Sequence, residues 1–351
     1  MQAKDILEKY KAAIWPSIEK YLSTPPLPKA FLIPKKYKKE EALHWKITRE
    51  YPERKGKYIR PTLVSLTAEA MGIPLEKTLQ TAAAMQVSED WLLIHDDLED
   101  NSPKRRGKPA LHKIYGNESA INAGDALQVV MWKLLLDNKK FLGEKVSERV
   151  TNEFFLTLSR TTIGQTTEIN WMQKNKQDFS DLDWYFIADG KTSYYTIACP
   201  MRLGAIMAGA NKTKLEALAR FGLLLGRCFQ LVDDVLDVTS DFEGLKEYAN
   251  DVYEGKRTVI LGHLLRRANK TDKKKLLTIL KKPREKKTKA EVDWTLAKMK
   301  QYGSIAYAQK LAEDFKNKAK KVFESELKFL SKEPARSYLN TLINFILERK
   351  Y

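Results

Sequence analysis

Near the end of its first third, the chain carries an apolar run that stops in Ile94-His95-Asp96-Asp97-Leu98-Glu99-Asp100-Asn101-Ser102-Pro103-Lys104-Arg105-Arg106-Gly107. With Leu92 to Asp100 helical, Asp96 and Asp100 stand four apart and share one face. Carboxylates placed in that way repel each other unless a cation lies between them. Mg²⁺ suits the position, because it is hard, prefers oxygen, and is commonly held by one or two carboxylates plus substrate phosphates. Arg105 and Arg106 follow closely enough to grip phosphate oxygens from the side. Taken alone, the stretch reads equally well as a solvated acidic helix end followed by a basic loop.

A second copy tips the balance. Gln230-Leu231-Val232-Asp233-Asp234-Val235-Leu236-Asp237 closes another long apolar segment, again with aspartates four apart at Asp233 and Asp237. The negative end of the helix macrodipole favours lysine over aspartate. Three aspartates at such an end, twice in one chain, call for bound cations, and the two sets are expected to face one cavity.

The rest of the chain fits a helical protein with that chemistry. Apolar residues recur at three and four, with little strand-like alternation. The spacing predicts helices over Ala3–Leu22, Glu40–Tyr51, Pro74–Asp100, Asn117–Leu136, Val146–Trp171, Asp181–Ala208 and Thr213–Val238. Pro61 is expected at the first position of the helix that follows Lys55–Arg60. A charged loop, Thr239–Lys256, leads to shorter helices, one of them opened by a Thr288/Glu291 capping box. No Gly/Ser linker or repeat divides the 351 residues, so one large all-α domain over 1–351 is predicted, with residues 1–54 the least defined.

Composition excludes several classes. A hydrophobic fraction of 43% with 30% charged residues is that of a soluble globular protein. Cys199 and Cys228 show no ligand spacing and suit a reducing compartment, so a cytoplasmic location is expected. Met1–Lys20 lacks the apolar core of a signal peptide, and no apolar run reaches the length of a membrane span. The net charge of +17 is spread over nearly every helix and densest at Lys273–Lys289. No groove-reading or aromatic-interleaved motif accompanies it, which argues against nucleic acid. A basic surface also draws in anionic substrates or docks on an anionic membrane.

Over roughly Lys55–Thr258 the chain resembles the trans-isoprenyl diphosphate synthases, or polyprenyl synthetases, of the farnesyl and geranylgeranyl type. The resemblance rests on Gly56-Lys57-Tyr58-Ile59-Arg60-Pro61, the two aspartate motifs, Arg105-Arg106-Gly107, Gly164-Gln165, Lys191-Thr192, Lys246 and Asp251-Val252-Tyr253-Glu254-Gly255-Lys256-Arg257-Thr258, all in family order. It implies the isoprenoid synthase fold with a central cavity between long helices, a homodimer, and three Mg²⁺ ions. It further implies that Asp96, Asp100 and Asp233 hold Mg²⁺ against an allylic diphosphate. Asp97, Asp234 and Asp237 complete the metal candidates, with a place beside the ligands as the alternative for Asp97 and Asp234. Arg105, Lys191, Thr192, Gln230, Lys246 and Lys256 would contact the allylic diphosphate. Lys57, Arg60 and Arg106 would hold the diphosphate of isopentenyl diphosphate. Each has a plainer alternative: Lys57, Arg60, Lys246 and Lys256 sit in polar loops where such side chains are usually just solvated, and Gly164-Gln165 also reads as a close helix contact plus a core amide. His95 is assigned no role.

Three positions depart from the family pattern. Glu89 stands seven residues before Asp96, where histidine or glutamine is usual, and an ionised carboxylate there repels a diphosphate. Tyr58 replaces the commoner arginine, and Glu168 replaces an aspartate with the charge kept. Chain length in this family depends on bulk beneath the first motif. Trp91, five residues before Asp96 and next to Leu92, is the expected floor, with the small Ser88 one turn deeper and then Ala84. The product expected is C15 or C20, with C20 preferred.

Rival readings fit less well. A squalene- or phytoene-synthase-like enzyme accommodates Asp96, Glu99 and Asp100 but needs glutamate where Leu236 stands. A terpene cyclase wants an Asn/Ser/Glu-type second motif, which is absent. A non-catalytic prenyltransferase subunit typically loses one aspartate motif; both are kept here, and only Glu89 favours it.

Overall fold

The computed structural model describes residues 1–240 and 248–347, which form an all-α structure. Among the described residues, the sole sheet is a two-stranded antiparallel hairpin in which Lys104 pairs with Pro109 and Arg105 with Lys108. No helix among them is long and apolar enough to cross a membrane. Contacts within the chain define two compact units. One comprises Met1–Glu153, Pro200–Asn211 and Leu330–Leu342; the other comprises Phe154–Cys199, Lys212–Phe329 and Ile343–Tyr351.

The first unit contains α1 (Ala3–Glu19), α2 (Lys38–Arg54), α3 (Ile59–Ala70), α4 (Leu79–Glu99), α5 (Leu111–Tyr115), α6 (Asn117–Asp137), α7 (Lys139–Leu142) and the start of α8 (Glu144–Gln173). Helix α4 is its centre and packs on α1, α3 and α6. Ala82, Ala83, Ala84, Met85, Val87 and Ser88 are all fully buried, because small side chains let neighbours approach from every side.

Several predicted boundaries move for identifiable reasons. Helix α1 stops at Glu19 rather than Leu22, since the backbone tightens into i+3 bonds from Tyr21 to Ile18 and from Leu22 to Glu19. Helix α2 outruns its predicted ends at both termini. Helix α3 begins at Ile59, behind a left-handed Tyr58 (φ +59°), so Pro61 is its third residue and not its first. Proline is tolerated there because the first four helical N–H groups have no intrahelical partner. Pro74 opens only a short 3₁₀ turn, Leu75–Lys77, and α4 itself starts at Leu79.

In the second unit, α9 (Asp181–Ala188) passes into a π-helix (Asp189–Ala198); the chain continues as α10 (Cys199–Met207), which from Pro200 on belongs to the first unit. The predicted helix over Asp181–Ala208 is thus real but rewound in its middle. Two glycines permit the wider turn. A Cβ on Gly164 would lie 2.9 Å from the Lys191 amide nitrogen, and one on Gly226 would lie 2.4 Å from the Ser193 Cα. Thr161 Oγ1 donates to the Gly190 carbonyl at 3.2 Å. Helix α11 (Lys212–Thr239) packs on the π-helix and on α16 (Ser304–Glu326). Between them in sequence lie α12 (Asn250–Glu254), which interrupts the predicted loop, α13 (Val259–Arg267), α14 (Lys270–Leu280) and α15 (Lys289–Gln301); α17 (Ala335–Leu347) follows and belongs to the first unit as far as Leu342. The Thr288/Glu291 capping box forms at the start of α15 as predicted.

Candidate diphosphate and metal site

At the end of α4 the acidic run divides by direction. Asp97 is fully buried and accepts from the Tyr51 hydroxyl at 2.6 Å and from Arg105 Nε at 2.9 and 3.0 Å, with a further close contact from Arg105 Nη2. Asp96 keeps 24% of its side chain exposed and lies 3.8 Å from Arg105 Nη2. Asp100 caps the helix C-terminus and is largely buried. The hairpin lets Arg105 reach back: Arg106 and Gly107 both take positive φ, so the turn reverses within two residues. Asp97 therefore anchors the arginine that follows it.

The next turn inward carries a second charged group. Arg60 Nη1 lies 3.1 Å from Glu89 Oε1, and Arg106 Nη2 lies 3.8 Å from the same oxygen. Arg106 Nη2 also meets the sealed Asp90 at 2.9 Å, while its Nη1 donates to the Tyr51 carbonyl at 2.8 Å. Burial pushes the Asp90 carboxyl up to about 6, against the pull of Arg106. Burial likewise raises the Tyr58 hydroxyl. Lys57 is exposed on the loop before α3. Asp90 and Tyr51 were missed in the sequence. Asp90 left a trace, an acidic residue inside an otherwise buried stretch, whereas Tyr51 left none.

Trp91, Leu92 and Ser88 occupy the apolar part of the same helix. Trp91 is 7% exposed, its indole N–H has no hydrogen-bond partner, and its ring stands edge-on to His95 with centroids 6.3 Å apart. Ser88 is fully buried and donates to the Met85 carbonyl at 2.7 Å; Leu92 is half-buried.

In the second unit, the end of α11 repeats the division. Asp233 is half-buried, while Asp234 and Asp237 are buried. Gln230 Nε2 donates to Asp234 Oδ1 at 2.8 Å, but Asp234 Oδ2 is buried without a hydrogen-bond partner. Burial drives the Asp234 carboxyl well above the usual range, and the charges of Asp251, Asp233 and Asp237 add to it. Asp237 accepts from the Asp251 backbone N–H at 3.0 Å. Asp251 was quoted only as part of a motif, yet it joins this acidic group. Lys256 lies 2.7 Å from Glu254 and 4.0 Å from Asp251; Lys191, on the π-helix, meets Glu168 at 2.6 Å. Thr192 is half-buried beside it. Lys246 lies outside the described residues.

The donor set suits Mg²⁺: carboxylate oxygens, one of them buried and unsatisfied, in a group that repels itself. Among the described residues no three His, Cys, Asp or Glu side chains form a ready-made cage. A Mg²⁺ ion held here would need further oxygen ligands to complete its shell.

Fold and site together define an all-α protein with acidic helix ends and with arginine and lysine side chains held against carboxylates. Residues 42–299 match the family model described as polyprenyl synthetase, and the chain belongs to that family. The short chain isoprenyl diphosphate synthase of Methanothermobacter thermautotrophicus is 32% identical over 297 residues, 84% of this chain and 87% of that protein. The geranylgeranyl diphosphate synthase of Saccharolobus solfataricus is 29% identical over the same shares. Among solved structures, the geranylgeranyl pyrophosphate synthetase of Pyrococcus horikoshii superposes with a TM-score of 0.82 at 27% identity, covering 99% of each chain.

Removing the buried partner of an ion pair costs far more than trimming an exposed one. Asp97→Ala is expected to lower unfolding stability by about 3 kcal/mol, and Asp96→Ala by less than about 0.5 kcal/mol. Urea denaturation of both variants measures the difference; equal losses would contradict the division of labour between the two aspartates.

Proposed function

We propose that this chain is a Mg²⁺-dependent trans-prenyltransferase that condenses isopentenyl diphosphate with an allylic diphosphate to a short all-trans product. The observation that carries the reading is the family match over 42–299, within which both aspartate motifs and their cations fall in order. The names borne by the relatives, short chain isoprenyl and geranylgeranyl diphosphate synthase, support the activity and the C20 preference.

In this reading Asp96 and Asp100 hold Mg²⁺ at the end of α4, and Asp233 holds it at the end of α11. Bound Mg²⁺ supplies positive charge to a departing diphosphate. The chain's own cations do the rest of the electrostatic work. Arg105, Lys191 and Lys256 each rest against a carboxylate, which keeps them extended and ready to take phosphate oxygens. Gln230 and Thr192 add uncharged donors, and Lys246 a further cation. The allylic C1–O bond breaks, the isopentenyl double bond attacks C1, and a proton is lost from the adduct, with the departed diphosphate as its acceptor. The allylic cation survives only where water is kept away. Trp91, Leu92 and Ser88 supply that apolar wall on α4, with Trp91 limiting the chain's length.

A homodimer and a cytoplasmic location belong to the same reading. Ile121, Val129 and Leu136 are 45%, 68% and 65% exposed on α6 at helical spacing, a run of bare apolar side chains that a partner subunit would cover. Neither cysteine forms a disulfide.

The test is product chromatography after incubation with Mg²⁺, isopentenyl diphosphate and a labelled allylic starter. Wild type is expected to elongate the starter, while Asp96→Ala and Asp233→Ala lose at least about 10²-fold in turnover and keep their circular-dichroism spectra. Elongation by either variant at the wild-type rate would refute its metal role. Trp91→Ala is expected to shift the product to longer chains; an unchanged product would remove Trp91 as the floor.

A further inference from the structure

Two arginines that the proposed reaction needs for isopentenyl diphosphate are already neutralised within the protein. Arg60 and Arg106 converge on one oxygen, Glu89 Oε1, at 3.1 and 3.8 Å. Arg106 is further tied to Asp90 at 2.9 Å. Two guanidinium groups thus face two carboxylates, and the formal charge of the four side chains is zero when all are ionised.

The two carboxylates are not equivalent. Asp90 has a side-chain exposure of 1% and sits beneath Arg106 as a fixed counter-charge. The Glu89 side chain keeps 14% exposure and pairs with both arginines. Arg106 is held on a second side as well: a Cβ on Gly56 would come within 2.8 Å of its Nη2, and its Nη1 donates to the Tyr51 carbonyl. An anion that uses Arg60 and Arg106 together competes with Glu89 for them.

We infer that Glu89 is an internal competitor for the isopentenyl diphosphate cradle, a carboxylate that occupies the two arginines until the substrate diphosphate displaces it. The inference rests on the prenyltransferase reading and deepens it. Glu89 sets affinity for the second substrate without touching the reacting carbons. It also orients both guanidinium groups toward one point, which lowers the ordering cost of binding an anion there. A neutral side chain of the same length removes the competition and leaves a net positive cradle. One unit of charge at this distance, in a partly screened site, corresponds to about tenfold in affinity.

Calorimetric titration of the full chain with isopentenyl diphosphate alone, where no turnover occurs, tests this. Glu89→Gln and Glu89→His are both expected to bind about tenfold more tightly than wild type, with a much smaller change in affinity for the allylic diphosphate. In steady state the gain appears in KM for isopentenyl diphosphate ahead of any change in kcat. Equal or weaker binding by both variants would overturn the inference, as would absence of binding in all three proteins. Failure of both variants to fold would also overturn it, because Glu89 would then be a structural counter-ion that cannot be displaced. Absence of elongation by wild type with every starter would refute the prenyltransferase reading instead, while the binding comparison would still stand.

Discussion

Concentrated like charge at the end of a helix is the constraint that organises both units. Aspartates crowd the C-terminal ends of α4 and α11, where the backbone itself is already negative. Each unit divides its carboxylates in the same way. Some turn inward against a partner; others stay partly exposed. Asp97, clasped by Arg105 and Tyr51, is of the first kind, and Asp96 is of the second. In the second unit Asp234 is buried with only half its carboxylate satisfied, so the repulsion is left partly unrelieved.

The cations follow the same logic. Arg105, Arg106, Lys191 and Lys256 each rest on a carboxylate, so a cationic side chain in a polar loop is here held in place rather than left to solvent. Such pairs contribute little to stability when partly exposed. Their value is positional: a side chain already extended loses less rotamer freedom when it exchanges one anion for another.

Much of this was legible in the sequence, and the reasons differ by residue. Long amphipathic periods and the spacing of four between aspartates have a direct geometric meaning, so the helices and their acidic ends could be read without coordinates. Boundaries could not, because Tyr58 adopts a left-handed conformation and Pro74 opens a 3₁₀ turn, choices made by packing rather than propensity. The π-helix around Lys191 depends on Gly164 and Gly226 from distant segments, which no local pattern encodes. The roles of Tyr51 and Asp90 are likewise tertiary, since both act through arginines that follow them by more than a dozen residues. Glu89 was visible as a departure, but only its pairing with Arg60 and Arg106 gives it a physical meaning.

The account stands on the claim that the acidic helix ends are completed by Mg²⁺ together with a diphosphate, neither of which suffices alone. The most direct measurement is the thermal melting of the full chain with Mg²⁺, with an allylic diphosphate, and with both. Stabilisation by the pair is predicted to exceed the sum of the separate shifts, because each ligand creates part of the other's site. Shifts that merely add, or a full effect from Mg²⁺ alone, would contradict it.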